Sequence, residues 1–221
     1  MVIIMIKYLI LDFGKVLAYP TTGEWFITPC FENLIDMDKI NKSEVLKFIS
    51  SYNDIISRKA ITLEEEYQMF FELYQNIFRD ISYEVSDEII HSIAHNFTYE
   101  DDKYGFYDNV EEELQYLSGK YKLILLSDNW PCAFPIMKKR GLDKYFEKMY
   151  ISSIYGTKKE YGDFFDYPIK EFNIEPSEAI FVDDNEKLLD VAIKKGFNVR
   201  LMDRENTEFS KYNKINNLFE L

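Results

Sequence analysis

Cysteine is scarce in this 221-residue chain: Cys30 and Cys132 are the only two, and neither stands in a CxxC pair or a Cys/His cluster. That excludes a multi-bridge disulfide framework and makes a reducing compartment, the cytoplasm, the default expectation. Positive charge is short as well, with 26 Lys and Arg against 39 Asp and Glu and a formal charge of -13. Such a field repels phosphate backbones, so nucleic acid is not an expected partner. A small phosphorylated ligand would need local positive charge or a metal cation. Long apolar runs are missing too. The apolar start, Met1 to Leu11, is interrupted by Lys7, closes on an acidic residue and is followed by no small-residue cleavage site, so it reads as a buried strand rather than a leader. Nothing else approaches the roughly 20 apolar residues that span a bilayer, and no membrane partner is expected. There is no internal repeat and no long low-complexity tract.

What is present suits a globular body of one large or two small domains. Hydrophobic residues make up 47% of the chain, enough for a sizeable core. The aromatics are spread along the chain rather than gathered in one block, which points to packing and not to a base-stacking platform.

Ile3 to Leu11 is apolar and β-branched at nearly every position, the pattern of a parallel strand covered on both faces. Similar runs recur at Lys122–Leu126, Lys148–Ile151, Ala179–Val182 and Phe197–Met202, with helical patterns between most of them. This alternation predicts an α/β fold with a doubly wound parallel sheet. Between Ala18 and Tyr99 it stops, and three helices are expected instead, over Ser43–Arg58, from Thr62 onward, and over Asp87–Phe97. Thr62 with Glu65 forms a capping box, and Phe70, Leu73, Tyr74 and Ile77 make a core-facing stripe. Asp108 with Glu111 is expected to cap the helix that leads back to the sheet. Asn129 is expected to cap a helix ending at Gly141, and Gly196 to end one that begins after Asn185.

Asp12, Ser127, Lys159 and the pair Asp183–Asp184 all fall at or just beyond strand ends, where open α/β sheets bind ligands. Together they make a phosphoryl-transfer set. Asp12 can attack phosphorus, Asp183 and Asp184 can hold Mg²⁺ through hard oxygens, and Ser127 with Lys159 can bind the remaining phosphoryl oxygens. His91 and His95 have the i, i+4 spacing of a metal pair, but no third ligand is near, and they read as a packed or solvated pair.

In LILDFGKVL, LILLSDN, YGTKKEYGDFF and AIFVDDNEKLLDVAIKKG the sequence resembles, in order, the four motifs of the haloacid dehalogenase superfamily. The insert after the first motif is similar to the all-α cap domain of one of its subfamilies. The resemblance implies a Rossmann-like core of residues 1–17 and 100–221 with a helical cap over 18–99. It implies a Mg²⁺-dependent phosphatase acting on a small phosphorylated metabolite through an aspartyl-phosphate intermediate. Asp12 would be the nucleophile, with Phe13 and Gly14 presenting backbone N–H groups to the phosphate. The Gly14 carbonyl would join Asp12 and Asp184 on the metal, with Asp183 in support. Lys159 aligns with the third-motif lysine and Lys158 is the alternative, because the proline that usually follows is replaced by Glu160. Most phosphatases of the superfamily carry an acid where this chain has Gly14, and Leu188 stands where Asn or an acid is usual. Asp128 is a helix-start residue or a displaced acid. Tyr19 and Trp25, with Phe26, are substrate contacts or simple packing. A haloacid dehalogenase, or a degenerate scaffold used for binding, are the alternative functions.

Overall fold

A computed structural model describes residues 5–206 and 210–221 of the chain. In chain order its elements are β1 (Tyr8–Leu11), β2 (Ala18–Pro20), α1 (Pro29–Leu34), α2 (Lys42–Ser51), α3 (Asn53–Ile56), α4 (Leu63–Asp80) and α5 (Asp87–Tyr99). There follow β3 (Tyr104–Phe106), α6 (Val110–Ser118), β4 (Lys122–Ser127), α7 (Ala133–Lys139), β5 (Phe146–Ile151) and α8 (Ser152–Tyr155). The chain closes with α9 (Asp166–Phe172), β6 (Ala179–Asp183), α10 (Glu186–Lys194), β7 (Asn198–Met202) and β8 (Lys214–Ile215).

The chain divides into two compact units. The core unit holds the residues through Tyr19, Phe106–Asn129 and the chain from Ala133 onward; the second unit holds Pro20–Gly105 and Trp130–Cys132. The core unit is built on a six-stranded parallel sheet in the order β5-β4-β1-β6-β7-β8. Leu9, Ile10 and Leu11 of β1 are fully buried, so each side chain contributes about 1.5–3 kcal/mol of transfer free energy whichever face it points to. That requirement explains why the strand is apolar without alternation. From β1 the chain builds outward through β4 and β5 on one side, then returns to build β6, β7 and β8 on the other. The order therefore reverses at β1, and the carboxyl edge at such a reversal is where an open sheet leaves a crevice.

The second unit is helical and carries its own core. Along α4 the residues Met69, Phe70, Leu73, Tyr74, Ile77 and Phe78 are buried, a stripe at helical spacing that packs against α5 through Ile90, Ile93, Ala94 and Phe97. The Thr62 hydroxyl accepts from the Glu65 N–H at 3.2 Å and the Glu65 carboxylate accepts from the Thr62 N–H at 3.1 Å, the capping box read from the sequence.

Several expectations are corrected. The strand begins at Tyr8, with Met5 exposed; Ile3 and Ile4 lie outside the described residues. The single helix expected over Ser43–Arg58 breaks at Tyr52 into α2 and α3, since Ser50 and Ser51 turn their hydroxyls back onto the Leu46 and Phe48 carbonyls and weaken the last turn. The helix α1, opened by Thr28 with Pro29 behind it, was not expected. Asp108 is not the N-cap of α6, which starts from Asn109 without a side-chain cap hydrogen bond. Asn129 does not begin α7, which starts only at Ala133 because the three intervening residues belong to the helical unit. The chain re-enters the core between Gly105 and Phe106 rather than at residue 100, since Tyr104–Phe106 forms a strand paired with β2. Asn185 does cap α10, accepting from the Lys187 N–H at 3.0 Å, and Gly196 follows that helix at a φ of 93°.

Candidate active site

Register places the site. Leu11 of β1 is level with Leu125 of β4 and with Val182 of β6, so Asp12, Asp183 and Ser127 emerge together at the carboxyl edge. The Asp12 N–H still donates to the Val182 carbonyl at 3.0 Å, which fixes where its side chain leaves the sheet. Ser127, paired in register with Ile151 of β5, is buried at the same edge.

Lys159 reaches this edge from a 3₁₀ turn, Lys159–Tyr161, closed by Gly162 at a φ of 82°. Its side chain is 1% exposed, and its Nζ lies 2.8 Å from Asp12 Oδ1 and 2.6 Å from Asp183 Oδ2. Lys158 stands half-buried outside this pairing, so of the two lysines it is Lys159 that meets the carboxylates. Burial works against the Lys159 ammonium, but Asp12, Asp183 and Asp128 outweigh it and hold the group above its ordinary range. Asp183 is fully buried and has both oxygens engaged: Oδ2 with Lys159, and Oδ1 with the Asn185 N–H at 2.8 Å.

Asp184 differs. Its nearest cation is Lys15, with Nζ 3.9 Å from Oδ2. Burial and the negative charge of Asp12 push its carboxyl up to about 6, with Lys15 and Lys159 opposing. The carboxyl of Asp183 is raised in the same way, by burial first and Asp12 next, against the pull of Lys159. One carboxylate oxygen from each of Asp12, Asp183 and Asp184 lies within 4.8 Å of the others. Asp12 Oδ1 is buried, with the Lys159 ammonium 2.8 Å away. Three hard carboxylates facing one fully buried ammonium leave surplus negative charge, which adds to burial in raising the carboxyls of Asp183 and Asp184. A divalent cation with oxygen preference fits this donor set and would relieve that surplus.

The other residues singled out in the sequence divide into those at the edge and those elsewhere. Phe13 is buried against Phe106, with ring centroids 5.8 Å apart, and its carbonyl accepts from the N–H groups of Leu17 and Ala18. Gly14 bridges to Ala18, closing a tight loop in which Lys15 takes a φ of 54°. Arg204 braces that loop: its guanidinium donates to the Val16 carbonyl at 2.9 Å and forks onto the buried Glu113 at 3.0 and 2.6 Å. Asp128 reaches solvent, and its Oδ1 accepts the Lys159 N–H at 3.1 Å, so it shapes the lysine's turn; surrounding bulk raises its carboxyl, with Lys159 opposing. Tyr19 lies against Tyr107, with centroids 5.1 Å apart. Tyr107 helps line a cavity of about 120 Å³ that also takes in Lys15, Asp184 and Arg204. Trp25 belongs to the helical unit, against Tyr104. Leu188 packs half-buried against the sheet's hydrophobic core. His91 and His95 are engaged with aromatic rings, Phe71 at 4.1 Å and Tyr99 at 4.7 Å. The sequence reading missed Lys15 and Arg204, and the bond from the Asn185 N–H to Asp183. Only Lys15 had a signal there, as a cation three residues past Asp12 in an acidic chain.

A family model described as haloacid dehalogenase-like hydrolase matches residues 9–192. The chain belongs to this family. It is accordingly a hydrolase, and its six-stranded sheet is the Rossmann-like core of the family. A D-ribitol-5-phosphate phosphatase of Bacteroides thetaiotaomicron is 32% identical over 105 residues, covering 42% of this chain and 50% of the relative, so the match spans about half that protein's length. Among solved structures, YfnB from Bacillus subtilis bound to magnesium is similar with a TM-score of 0.70 at 12% identity, over 98% of this chain and 96% of that one. A haloacid dehalogenase family enzyme of B. thetaiotaomicron, in complex with magnesium and inorganic phosphate, gives a TM-score of 0.65 at 22% identity, over 93% and 98%. At these identities the structural likeness is one of fold.

Proposed function

We propose that the protein is a Mg²⁺-dependent phosphatase of small phosphorylated metabolites. The observation that carries this reading is the convergence of Asp12, Asp183 and Asp184 around one buried lysine. A haloacid dehalogenase needs no cation beside its aspartate, which leaves the acidic pair, Asp184 above all, less explained. Asp12, Asp184 and the Gly14 carbonyl are the groups assigned to Mg²⁺, because Asp183 already spends both oxygens on Lys159 and Asn185. Bound there, the cation supplies positive charge to the phosphoryl oxygens.

The chain's own residues do the rest. An Asp12 carboxylate oxygen forms a bond to phosphorus as the ester P–O bond breaks, and the leaving oxygen takes a proton from solvent. Water then attacks the aspartyl phosphate at phosphorus and loses a proton, releasing phosphate and restoring Asp12. Lys159 fixes the Asp12 side chain and, with the Ser127 hydroxyl and the backbone N–H groups of Phe13 and Gly14, binds the phosphoryl oxygens. Selection of the organic part of the substrate is assigned to the cap-like helical unit, with Trp25 as its first candidate contact; Tyr19, the other candidate, belongs to the core unit.

An assay of phosphorylated metabolites with and without Mg²⁺, pentitol phosphates first in view of the ribitol-phosphate relative, tests the reading. Phosphate release that depends on Mg²⁺ supports it, and halide release from 2-haloacids without metal contradicts it. In calorimetry, Asp184→Ala should weaken Mg²⁺ binding more than about tenfold, since even the outer partners of a metal site are worth about 10–100-fold. Unchanged affinity would place the cation elsewhere.

Gly14 sets a second expectation. With no carboxylate there to protonate a departing alkoxide, aryl and acyl phosphates should turn over about 10²–10⁴ times faster than simple alkyl phosphates, the usual range for a lost general acid. Gly14 is not held at positive φ, so Gly14→Asp is compatible with the backbone and should raise alkyl-phosphate turnover more than aryl. Equal rates across leaving groups in the wild type would show that another side chain, Asp128 first, already supplies the proton.

A further inference from the structure

The φ of 54° at Lys15 is a left-handed conformation that a lysine enters only at a cost and keeps only where its surroundings impose it. The loop's own hydrogen bonds impose part of it. The Lys15 N–H donates to the Ala18 carbonyl at 2.6 Å, and the Phe13 carbonyl accepts from the Leu17 N–H at 2.9 Å and the Ala18 N–H at 3.1 Å. A trans peptide is planar, with its N–H and C=O on opposite sides. The Phe13 carbonyl points into the loop, so the Gly14 N–H points out of it. The Leu17 N–H points at Phe13, so the Val16 carbonyl points the other way. There the Arg204 guanidinium meets it, through Nη2 at 2.9 Å and Nε at 3.3 Å.

Arg204 is itself immobilised. Its fork onto Glu113 of α6 is buried on both sides, and Glu113 Oε1 also accepts the Leu218 N–H at 3.1 Å. One residue earlier the Asp203 N–H donates to the Ile215 carbonyl of β8 at 2.9 Å, which ties the arginine's backbone to the sheet. A buried ion pair is a weak source of stability, because desolvation offsets the attraction. This one also aims two N–H groups at a carbonyl of the fully buried Val16, four residues past Asp12, and that carbonyl would otherwise lack a partner at a cost. Every residue of the arrangement belongs to the core unit.

We propose that Arg204 is a positioning residue for the loop that binds the phosphoryl group. Held at its carbonyl end, the Val16–Leu17 peptide keeps its N–H on the Phe13 carbonyl. That bond sets the plane of the Phe13–Gly14 peptide, and with it the direction in which the Gly14 N–H leaves the loop. The use of that N–H on phosphoryl oxygens rests on the phosphatase reading; the path from Arg204 to the Gly14 peptide does not.

Two variants of the intact protein test it. Arg204→Lys leaves a cation beside Glu113 but cannot fork, and the double variant Arg204→Met/Glu113→Gln removes both buried charges at once. In each, hydrogen exchange read by mass spectrometry should show the Leu17 and Ala18 amides exchanging at least about tenfold faster while those of β4 and β6 are unchanged, since the loop opens locally. With an aryl phosphate, kcat should fall about tenfold and KM change less than about threefold, the pattern of a group that acts in the transition state through another. Unchanged exchange at Leu17 and Ala18, or equal loosening of every strand, overturns the proposal and leaves Arg204 as a tie between α6 and the sheet. A loosened loop with kcat unchanged overturns it as well. If the double variant does not fold, Arg204→Lys is read alone by the same criteria. Absence of turnover in the wild type would count against the phosphatase reading, and the exchange comparison would still decide the path from Arg204 to the loop.

Discussion

Asp12→Asn should lower kcat by on the order of 10⁴-fold or more, the scale seen when a nucleophile is removed, while the melting temperature changes little. The amide is nearly isosteric, and Lys159 keeps its second partner, Asp183, at 2.6 Å. Steady-state assay with an aryl phosphate and a thermal melt of the same sample check both halves. A mutant that keeps most of its activity would mean that Asp12 does not attack phosphorus.

Lys159→Met should show its largest effect on stability. The ammonium is buried between Asp12 and Asp183, and removing one partner of a buried ionic cluster costs about 3–5 kcal/mol because the remaining charge is left uncompensated. For a chain of this size that corresponds to a drop of about 10 °C in melting temperature. Measured in chelator, the drop should be full; excess Mg²⁺ should restore part of it, since a cation at Asp12 and Asp184 replaces some of the missing charge. Turnover should fall about 10²–10³-fold in the same variant, the loss typical of one phosphoryl- or oxyanion-stabilising group. An unchanged melting temperature would show that the three carboxylates do not depend on Lys159.

Much of this arrangement was legible before any coordinates, for a physical reason. Strands buried on both faces must be apolar throughout, so β1, β4 and β6 announce themselves, and a polar residue at the end of such a run marks the sheet's edge. Asp12, Ser127, Lys159 and the pair Asp183–Asp184 were found that way, and motif order then suggested a role for each. The capping box at Thr62 and the α4 stripe were equally plain, because both are local patterns. What escaped was local signal overruled by distant packing. Asn129 is a good helix cap by type, but the next three residues are taken by the helical unit, and α7 starts later. Arg204 lies far along the chain from Val16 and Glu113, so nothing in its neighbourhood marked it as the brace of the first motif's loop. The division of labour between Asp183 and Asp184 was likewise a matter of three-dimensional partners: both oxygens of one are bonded, while the other has a cation only at 3.9 Å.

The most direct measurement is mass spectrometry of the peptide carrying Asp12 after acid quench of enzyme turning over a phosphorylated substrate in Mg²⁺. One phosphoryl group on Asp12, absent from the Asp12→Asn variant and from a chelator-treated control, is the expected result. Phosphate release that proceeds through Mg²⁺ with no phosphoryl group on that peptide, or with the group on another residue, would contradict the assignment of Asp12 as nucleophile.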